Sequence, residues 1–343
     1  MKVVFRVDSS LKIGAGHLMR CFALAEEFKN RGFQTCFISE NNLPNLQELL
    51  ASNGHSVIDI SHSNQKKLNT EEDANRTIDY LIDLSAEILI LDHYELGNEW
   101  QESVKSRLSR LVVIDDIPGR KLVCDILLDQ NLGREKDHYL PFLQDKTKLL
   151  MGSRFVLARK QFKENRGKAL IKRKEFNGLN TILLSLGGSE TIKNYIKIIE
   201  TISEIKTNNS LELRIALGFN GKEIKRNTFD NIQNLKIKFL EDPLKLHESI
   251  IDSDLCIGYA GSSSWERCIL GLPSLVKAIS DNQLFIAKNL ERYGAADIWH
   301  EHGDLKKLIK MLNNKVKWLE RSKAASKICD GEGVRRVADA ILE

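Results

Sequence analysis

His17 stands directly after the turn Gly14-Ala15-Gly16, between an apolar run and an amphipathic one. Glycines let the backbone pass close to a ligand. A helix starting behind them offers unpaired N–H groups and the positive end of its dipole. A neutral imidazole there would be a base facing whatever the turn cradles; the alternative is a surface or capping histidine. The turn lacks the third glycine of a dinucleotide fingerprint, which argues against a nicotinamide cofactor. A second constellation lies in the other half, where Gly261-Ser262-Ser263-Ser264 precedes a helical pattern carrying Glu266. N–H groups and serine hydroxyls at a helix start suit a diphosphate, and a carboxylate one turn on suits ribose hydroxyls. The same residues also make an ordinary serine cap with an acidic first turn. Gly187-Gly188-Ser189 is a further turn of this kind.

These turns need strands and helices to hold them. Val3 to Val7 is a β-branched apolar run that predicts a buried strand. Leu18, Cys21, Phe22, Leu24, Ala25 and Phe28 share one side of the helix that follows. Strand, glycine turn and helix open a doubly wound α/β domain. The pattern continues with strands over 34–39, 56–60, 87–91, 111–114 and 125–128, and helices over 43–52, 71–85 and 97–108. Polar residues recur where strands end: Asp8, Asp92, Tyr94, Asp115 and Asp116. Ligands of open α/β sheets bind at such ends, although aspartates also cap the following helices.

Between Arg154 and Asn180 the chain is basic and weakly periodic, and reads as an interdomain connection. A second series then repeats the first. Its strands are expected over 181–186, 211–217, 235–239, 255–259, 273–277 and 296–300. Its helices are expected over 194–206, 244–251, 265–270 and 282–292, and from 304 onward apart from a break at Gly331 and Gly333. The expected organisation is a first domain over 1–155, a connection over 156–180, a second domain over 181–330 and a C-terminal helix over 331–343.

Composition narrows the function classes. At 343 residues the chain is long for a single core. A net charge of +4 fits an anionic small molecule and does not call for nucleic acid. The six cysteines form no Cys-x-x-Cys pair and most lie in apolar patterns, which reads as reduced thiols in a cytoplasmic protein. No apolar run approaches a membrane span, and the first strand, with Arg6 and Asp8, is not a signal peptide pattern. Neither a Walker motif nor a Gly-x-Ser-x-Gly elbow occurs. His300-Glu301-His302 has no third ligand nearby and reads as a loop, so no metal and no cofactor are expected.

Arg6-x-Asp8 followed by Gly14-x-Gly16-His17-x-x-Arg20 resembles the start of the PseG family, the UDP-2,4-diacetamido-2,4,6-trideoxy-β-L-altropyranose hydrolases of pseudaminic acid biosynthesis. Asp92-His93-Tyr94, Leu127 to Asn131, Phe155 to Phe162, Gly187-Gly188-Ser189 and Gly261 to Leu275 with Asp281-Asn282-Gln283 extend the resemblance over most of the chain. It implies an α/β, GT-B-like architecture similar to MurG, with two Rossmann-like domains whose parallel sheets face each other across a cleft, UDP lying mainly on the second. It implies that His17 is the base that activates water and that Glu266 holds the uridine diphosphate. Asp8, Gly14, Gly16, Arg20, Asp92, Tyr94, Arg159, Gly187, Gly188, Ser189, Asn194, Ser262, Ser263, Ser264, Asn282 and Gln283 are then the further substrate-binding positions. One departure concerns an aspartate that the family often has soon after its Gly-Gly turn. Here Glu190 follows Ser189, with one extra residue before Asn194, which leaves the sugar contacts open.

The expected function is a metal-independent hydrolase that releases UDP and a free diacetamido-trideoxyhexose from a UDP-linked amino sugar. A glycosyltransferase would share fold and donor site but use an acceptor hydroxyl. A non-catalytic subunit would bind and not turn over, and a related hydrolase would act on another amino sugar. The sequence sets neither the sugar nor the oligomeric state, a monomer being one option.

Overall fold

The computed structural model describes residues 1–10, 14–40, 43–61, 67–187, 191–205, 211–218, 235–240 and 242–343. The chain divides into two units, Met1–Arg159 with Glu332–Glu343, and Lys160–Gly331. In the first unit the strands are β1 (Lys2–Val7), β2 (Gln34–Ser39), β3 (Ser56–Asp59), β4 (Ile88–Asp92), β5 (Arg110–Ile114), β6 (Ile126–Asp129) and β7 (Lys148–Met151). They form one parallel sheet in the order β3-β2-β1-β4-β5-β6-β7. The helices are α1 (Gly16–Asn30), α2 (Pro44–Ser52), α3 (Thr70–Asp83) and α4 (Asn98–Lys105).

β1 lies at the centre of its sheet, and Val3, Val4, Phe5 and Val7 are buried, as a strand covered on both faces requires. Arg6 breaks this run and is equally buried. Its guanidinium is held by Asp8, next along the chain but one, and by Asp73 on α3. Two carboxylates around one guanidinium offset the desolvation that a lone buried charge would suffer. A capping box between Asn69 and Glu72 starts α3 and so delivers Asp73 to this point. Trp100 on α4, fully buried, donates its indole N–H to Asp73 Oδ1 at 2.8 Å. The core beneath is built from Val4, Ile38, Leu89, Leu91, Val113, Leu127 and their neighbours.

The second unit begins with α5 (Lys160–Lys172). Its strands are β8 (Thr181–Ser185), β9 (Leu211–Ala216), β10 (Leu235–Leu240), β11 (Leu255–Tyr259), β12 (Ser274–Lys277) and β13 (Ala296–Ile298). They also form a parallel sheet, in the order β10-β9-β8-β11-β12-β13. The helices are α6 (Ile192–Ser203), α7 (Leu246–Asp252), α8 (Ser263–Ile269), α9 (Asp281–Arg292), α10 (His302–Leu312) and α11 (Lys315–Ile328). Ile182, Leu184, Ile199, Leu213, Ile257 and Trp318 lie in its core.

Three elements differ from the sequence reading. The basic stretch after Arg159 is helical over Lys160–Lys172 and belongs to the second unit. Only Phe162 and Ala169 of that helix are buried, so it shows almost no apolar stripe. β7 is a four-residue edge strand following a long irregular segment, too short for alternation to announce it. The last helix, α12 (Gly333–Leu342), belongs to the first unit rather than standing alone. It comes close enough to the chain at Val156 that a Cβ on Gly333 would lie 2.2 Å from the Val156 carbonyl oxygen. Arg31 on α1 donates to Asp339 on α12 at 2.8 Å.

Candidate functional site

In each sheet the strand order reverses once. In the first, β1 to β3 build outward to one side and β4 starts again on the other side of β1. In the second, β8 to β10 do the same and β11 restarts beside β8. Loops leaving two such neighbours go opposite ways and leave a crevice at the strands' carboxyl ends. The candidate residues gather at these two places.

At the first, Val7 of β1 pairs with Asp92 of β4, so the loop from β1 and the end of β4 start level. The β1 loop passes Gly14, whose φ of 81° suits glycine, and enters α1 at Gly16. His17 then lies in the first turn, with its Nδ1 2.6 Å from Asp92 Oδ1. Arg20, one turn on, donates from Nε to Asp92 Oδ2 and from Nη2 to Oδ1, both at 2.6 Å. Burial by itself would push the Asp92 carboxyl up, but Arg20 and then His17 hold it well below the usual carboxylate range. An ionised Asp92 can only accept, so the Nδ1 nitrogen carries a hydrogen, and in the neutral ring Nε2 keeps the lone pair. Arg20 Nη2 lies 3.3 Å from Nδ1, but both are donors and both serve Oδ1. The His17 side chain is 15 % exposed while Asp92 is wholly enclosed, so the ring is oriented by a carboxylate behind it.

Asp116, after β5, completes this group. It accepts from Arg20 Nη1 at 3.3 Å and from the Tyr94 hydroxyl at 2.6 Å. Burial and the Asp116 charge push the Tyr94 phenol well above its usual range, so Tyr94 keeps its proton. Its ring stands edge-on to His17, with centroids 4.7 Å apart. Arg120 donates to the Tyr94 carbonyl and pairs with Asp115 at 2.8 Å.

At the second place, Gly187 follows β8 with a φ of 82°. Gly188 and Ser189, and Glu190 with them, lie outside the described residues. The Gly261 to Ser264 loop follows β11 and leads into α8, where Glu266 is part-buried. Ser262 is exposed, Ser263 half-buried and Ser264 buried. Asn282 and Gln283 open α9 after β12. Gln283 Oε1 accepts from the Ile279 N–H at 3.2 Å, and Asn282 Oδ1 from the Gln283 N–H at 2.9 Å. Asn194 is exposed on the first turn of α6, and Arg159 is buried at the last position before the second unit.

Several expected ligand contacts have other employment here. Asp8 is buried and accepts from Arg6, from His93 Nε2 at 3.1 Å and from the Glu40 N–H at 2.9 Å. Asp92 and Arg20 are buried and bond to each other, and Asp92 also accepts from His17. Ser264 is 1 % exposed, and its hydroxyl accepts from Arg267 at 2.8 Å. Asp116 was named from the sequence only as a strand-end residue that could meet a ligand or cap a helix, and Arg267 was not singled out at all. Asp116 had a signal, the doubled aspartate at a strand end. Arg267 had none, because a cation between Glu266 and Cys268 looks like helix surface until the fold buries it.

No family model matches the chain. It is 28 % identical to the UDP-2,4-diacetamido-2,4,6-trideoxy-beta-L-altropyranose hydrolase of Campylobacter jejuni over 172 residues, 49 % of this chain and 57 % of that one. It is 22 % identical to an uncharacterised protein of Methanocaldococcus jannaschii over 80 % of this chain and 55 % of that one. The chain thus spans little more than half the length of these two relatives. Identity to the spore coat polysaccharide biosynthesis protein SpsG of Bacillus subtilis is 21 %, over 100 % of this chain and 98 % of that one. Among solved structures, Acinetobacter baumannii MurG superposes with a TM-score of 0.71 at 16 % identity, covering 100 % of this chain and 99 % of that one. The fold is that of the GT-B glycosyltransferases, two parallel-sheet α/β units of seven and six strands. Among the described residues no helix is long and apolar enough to cross a membrane.

Proposed function

We propose that the protein hydrolyses a UDP-linked 2,4-diacetamido-2,4,6-trideoxyhexose, releasing UDP and the free sugar. The observation that carries this reading is the His17 ring, held through Nδ1 by a buried carboxylate and with 15 % of its side chain exposed. Such a base takes a proton from water as the water oxygen attacks the anomeric carbon. The anomeric C–O bond breaks, its electron pair goes to the β-phosphate oxygen of UDP, and the centre inverts. Asp92 stabilises the imidazolium that forms and does not itself take the proton. We assign UDP to the strand ends of the second unit: Gly187 and the Ser262 to Ser263 turn at the diphosphate, Glu266 at the ribose, and Asn282 and Gln283 at the sugar. With N–H and hydroxyl donors serving the diphosphate, turnover is expected to survive EDTA. The hydrolase relative supports this choice of substrate.

A second reading is favoured by the whole-length likeness to MurG, a glycosyltransferase fold in which an acceptor hydroxyl would replace water. One experiment separates the two. The protein is incubated with a panel of UDP-diacetamido sugars without acceptor, and UDP release is followed. Release that His17→Asn abolishes, with UDP binding retained, supports hydrolysis. Release only when an acceptor is added selects the transferase, and binding without release in either case leaves a non-catalytic binder.

A further inference from the structure

Arg267 is 2 % exposed, and no carboxylate of the described residues pairs with it. Arg6, Arg20 and Arg134, also buried, have carboxylates at 2.5 to 2.6 Å; Arg173, 4 % exposed, resembles Arg267 in donating only to neutral oxygens, the carbonyls of Ser253 and Ile250. Arg267 donates from Nη1 to Ser263 Oγ at 3.0 Å, and from Nη2 to Ser264 Oγ at 2.8 Å and to the Tyr259 carbonyl at 3.1 Å. Its Nε is buried with no partner among the described residues. The guanidinium lies beside Cys256 of β11 and beneath Gly258 of the same strand. A Cβ on Gly258 would stand 3.4 Å from Nη1 and 2.5 Å from the Ser185 carbonyl oxygen. The glycine keeps the space in which the cation sits.

A buried cation without a paired anion is costly, and Arg267, unlike Arg173, directs donors to the serine hydroxyls of the Ser263 to Ser264 turn. We propose that Arg267 is a positioning residue for a diphosphate bound at the Ser262 to Ser263 turn. It acts in two ways. By filling an acceptor site of the Ser263 hydroxyl it turns that group's hydrogen away from itself, so that Ser263 meets an anion as a donor. By bringing under the turn a positive charge that no carboxylate of the described residues pairs, it favours an anionic ligand through a medium of low dielectric. This rests on the assignment of UDP to the second unit. The group recognised is the diphosphate, not the base or the sugar.

The test measures UDP, uridine and inorganic pyrophosphate binding to the full chain by calorimetry. Arg267→Gln removes charge and fork together; Arg267→Lys keeps the charge. Cys256→Asp keeps Arg267 and both serines but sets an internal anion beside the guanidinium, so it retains the brace and cancels the charge. UDP and pyrophosphate affinity should fall about 10- to 100-fold in Arg267→Gln and Cys256→Asp, the loss of one charge-assisted interaction. Uridine affinity should stay within about 2-fold, and Arg267→Lys should recover most of the loss. Where Arg267→Gln fails to fold, Cys256→Asp and Arg267→Lys carry the comparison. Unchanged UDP and pyrophosphate affinity in Cys256→Asp, or an equal fall for uridine, overturns the proposal and makes Arg267 a structural brace. A wild-type protein that binds pyrophosphate as tightly as UDP overturns the UDP assignment while the role of Arg267 stands. One that binds neither overturns both.

Discussion

Replacing Asp92 by asparagine removes one charge and leaves the shape of the site. Its consequences follow from the atoms that surround it. Both oxygens of Asp92 already accept from Arg20, and Oδ1 also accepts from His17. An asparagine has one oxygen and one NH₂ group. If the oxygen faces His17, the NH₂ meets the Arg20 Nε–H, donor against donor. If the amide flips, the NH₂ faces Nδ1, the ring turns to the other tautomer, and Nε2 gains the hydrogen it should be free to accept. Either way Arg20 loses a charged partner and keeps only Asp116 at 3.3 Å. Breaking a buried ion pair costs about 3–5 kcal/mol. Where the flipped amide wins, the rate loss should approach the ~10⁴-fold known for the same exchange in Ser-His-Asp enzymes; loss of a general base alone gives about 10²–10⁴. Asp92 is 1 % exposed, so KM should move little. The assay is steady-state UDP release by Asp92→Asn, His17→Asn and the double variant, with urea denaturation alongside. Because Asp92 works through His17, the double variant should be no slower than His17→Asn. A kcat within about 3-fold of wild type in folded Asp92→Asn, or additive losses in the double variant, would refute the dyad.

Three further outcomes follow. Burial pushes the Asp8 carboxyl up, but His93 and Arg6 hold it below the usual carboxylate range. Its stabilisation is therefore complete above the unfolded pKa of about 3.9 and is lost as pH falls through the lower folded value. The difference in urea midpoint between wild type and Asp8→Asn should accordingly shrink from pH 5 towards pH 2, and a constant difference would contradict the pairing. Gly258→Ala drives a Cβ to 2.5 Å from the Ser185 carbonyl and should cost about 1–3 kcal/mol by overpacking, read in thermal melts; a change below about 0.5 kcal/mol would mean the two strands separate freely. In heavy-oxygen water the label should enter the released sugar and be absent from UDP, by mass spectrometry taken before the anomeric oxygen exchanges; label in UDP would place the attack at phosphorus.

The repeated strand, turn and helix pattern made both α/β halves legible in the chain. Doubly buried parallel strands such as Val3 to Val7 and Leu255 to Tyr259 must be continuous apolar runs, and few other elements look like that. Glycines at strand ends marked the two turns for the same local reason: the backbone conformation of Gly14 and Gly187 favours glycine whatever lies around it. His17 at the start of α1 was visible because its position depends on neighbours in sequence. What His17 can do depends on residues far along the chain. Asp92 reads as a strand-end ligand until β4 is set beside β1, and only that pairing turns it inward onto His17 and Arg20. Asp8 and Ser264 were read as ligand contacts for the same reason, since the partners that occupy them, Arg6 with His93 and Arg267, are brought there by folding. Burial is not a local property, so a charged residue in a helix such as Arg267, or a weakly amphipathic one such as Lys160–Lys172, shows its role only in three dimensions. The sequence on its own determined which residues could serve as base, donor and turn. The tertiary structure decided which of them face outward and which stand behind to hold them, because that depends on which strand ends the sheet order makes neighbours.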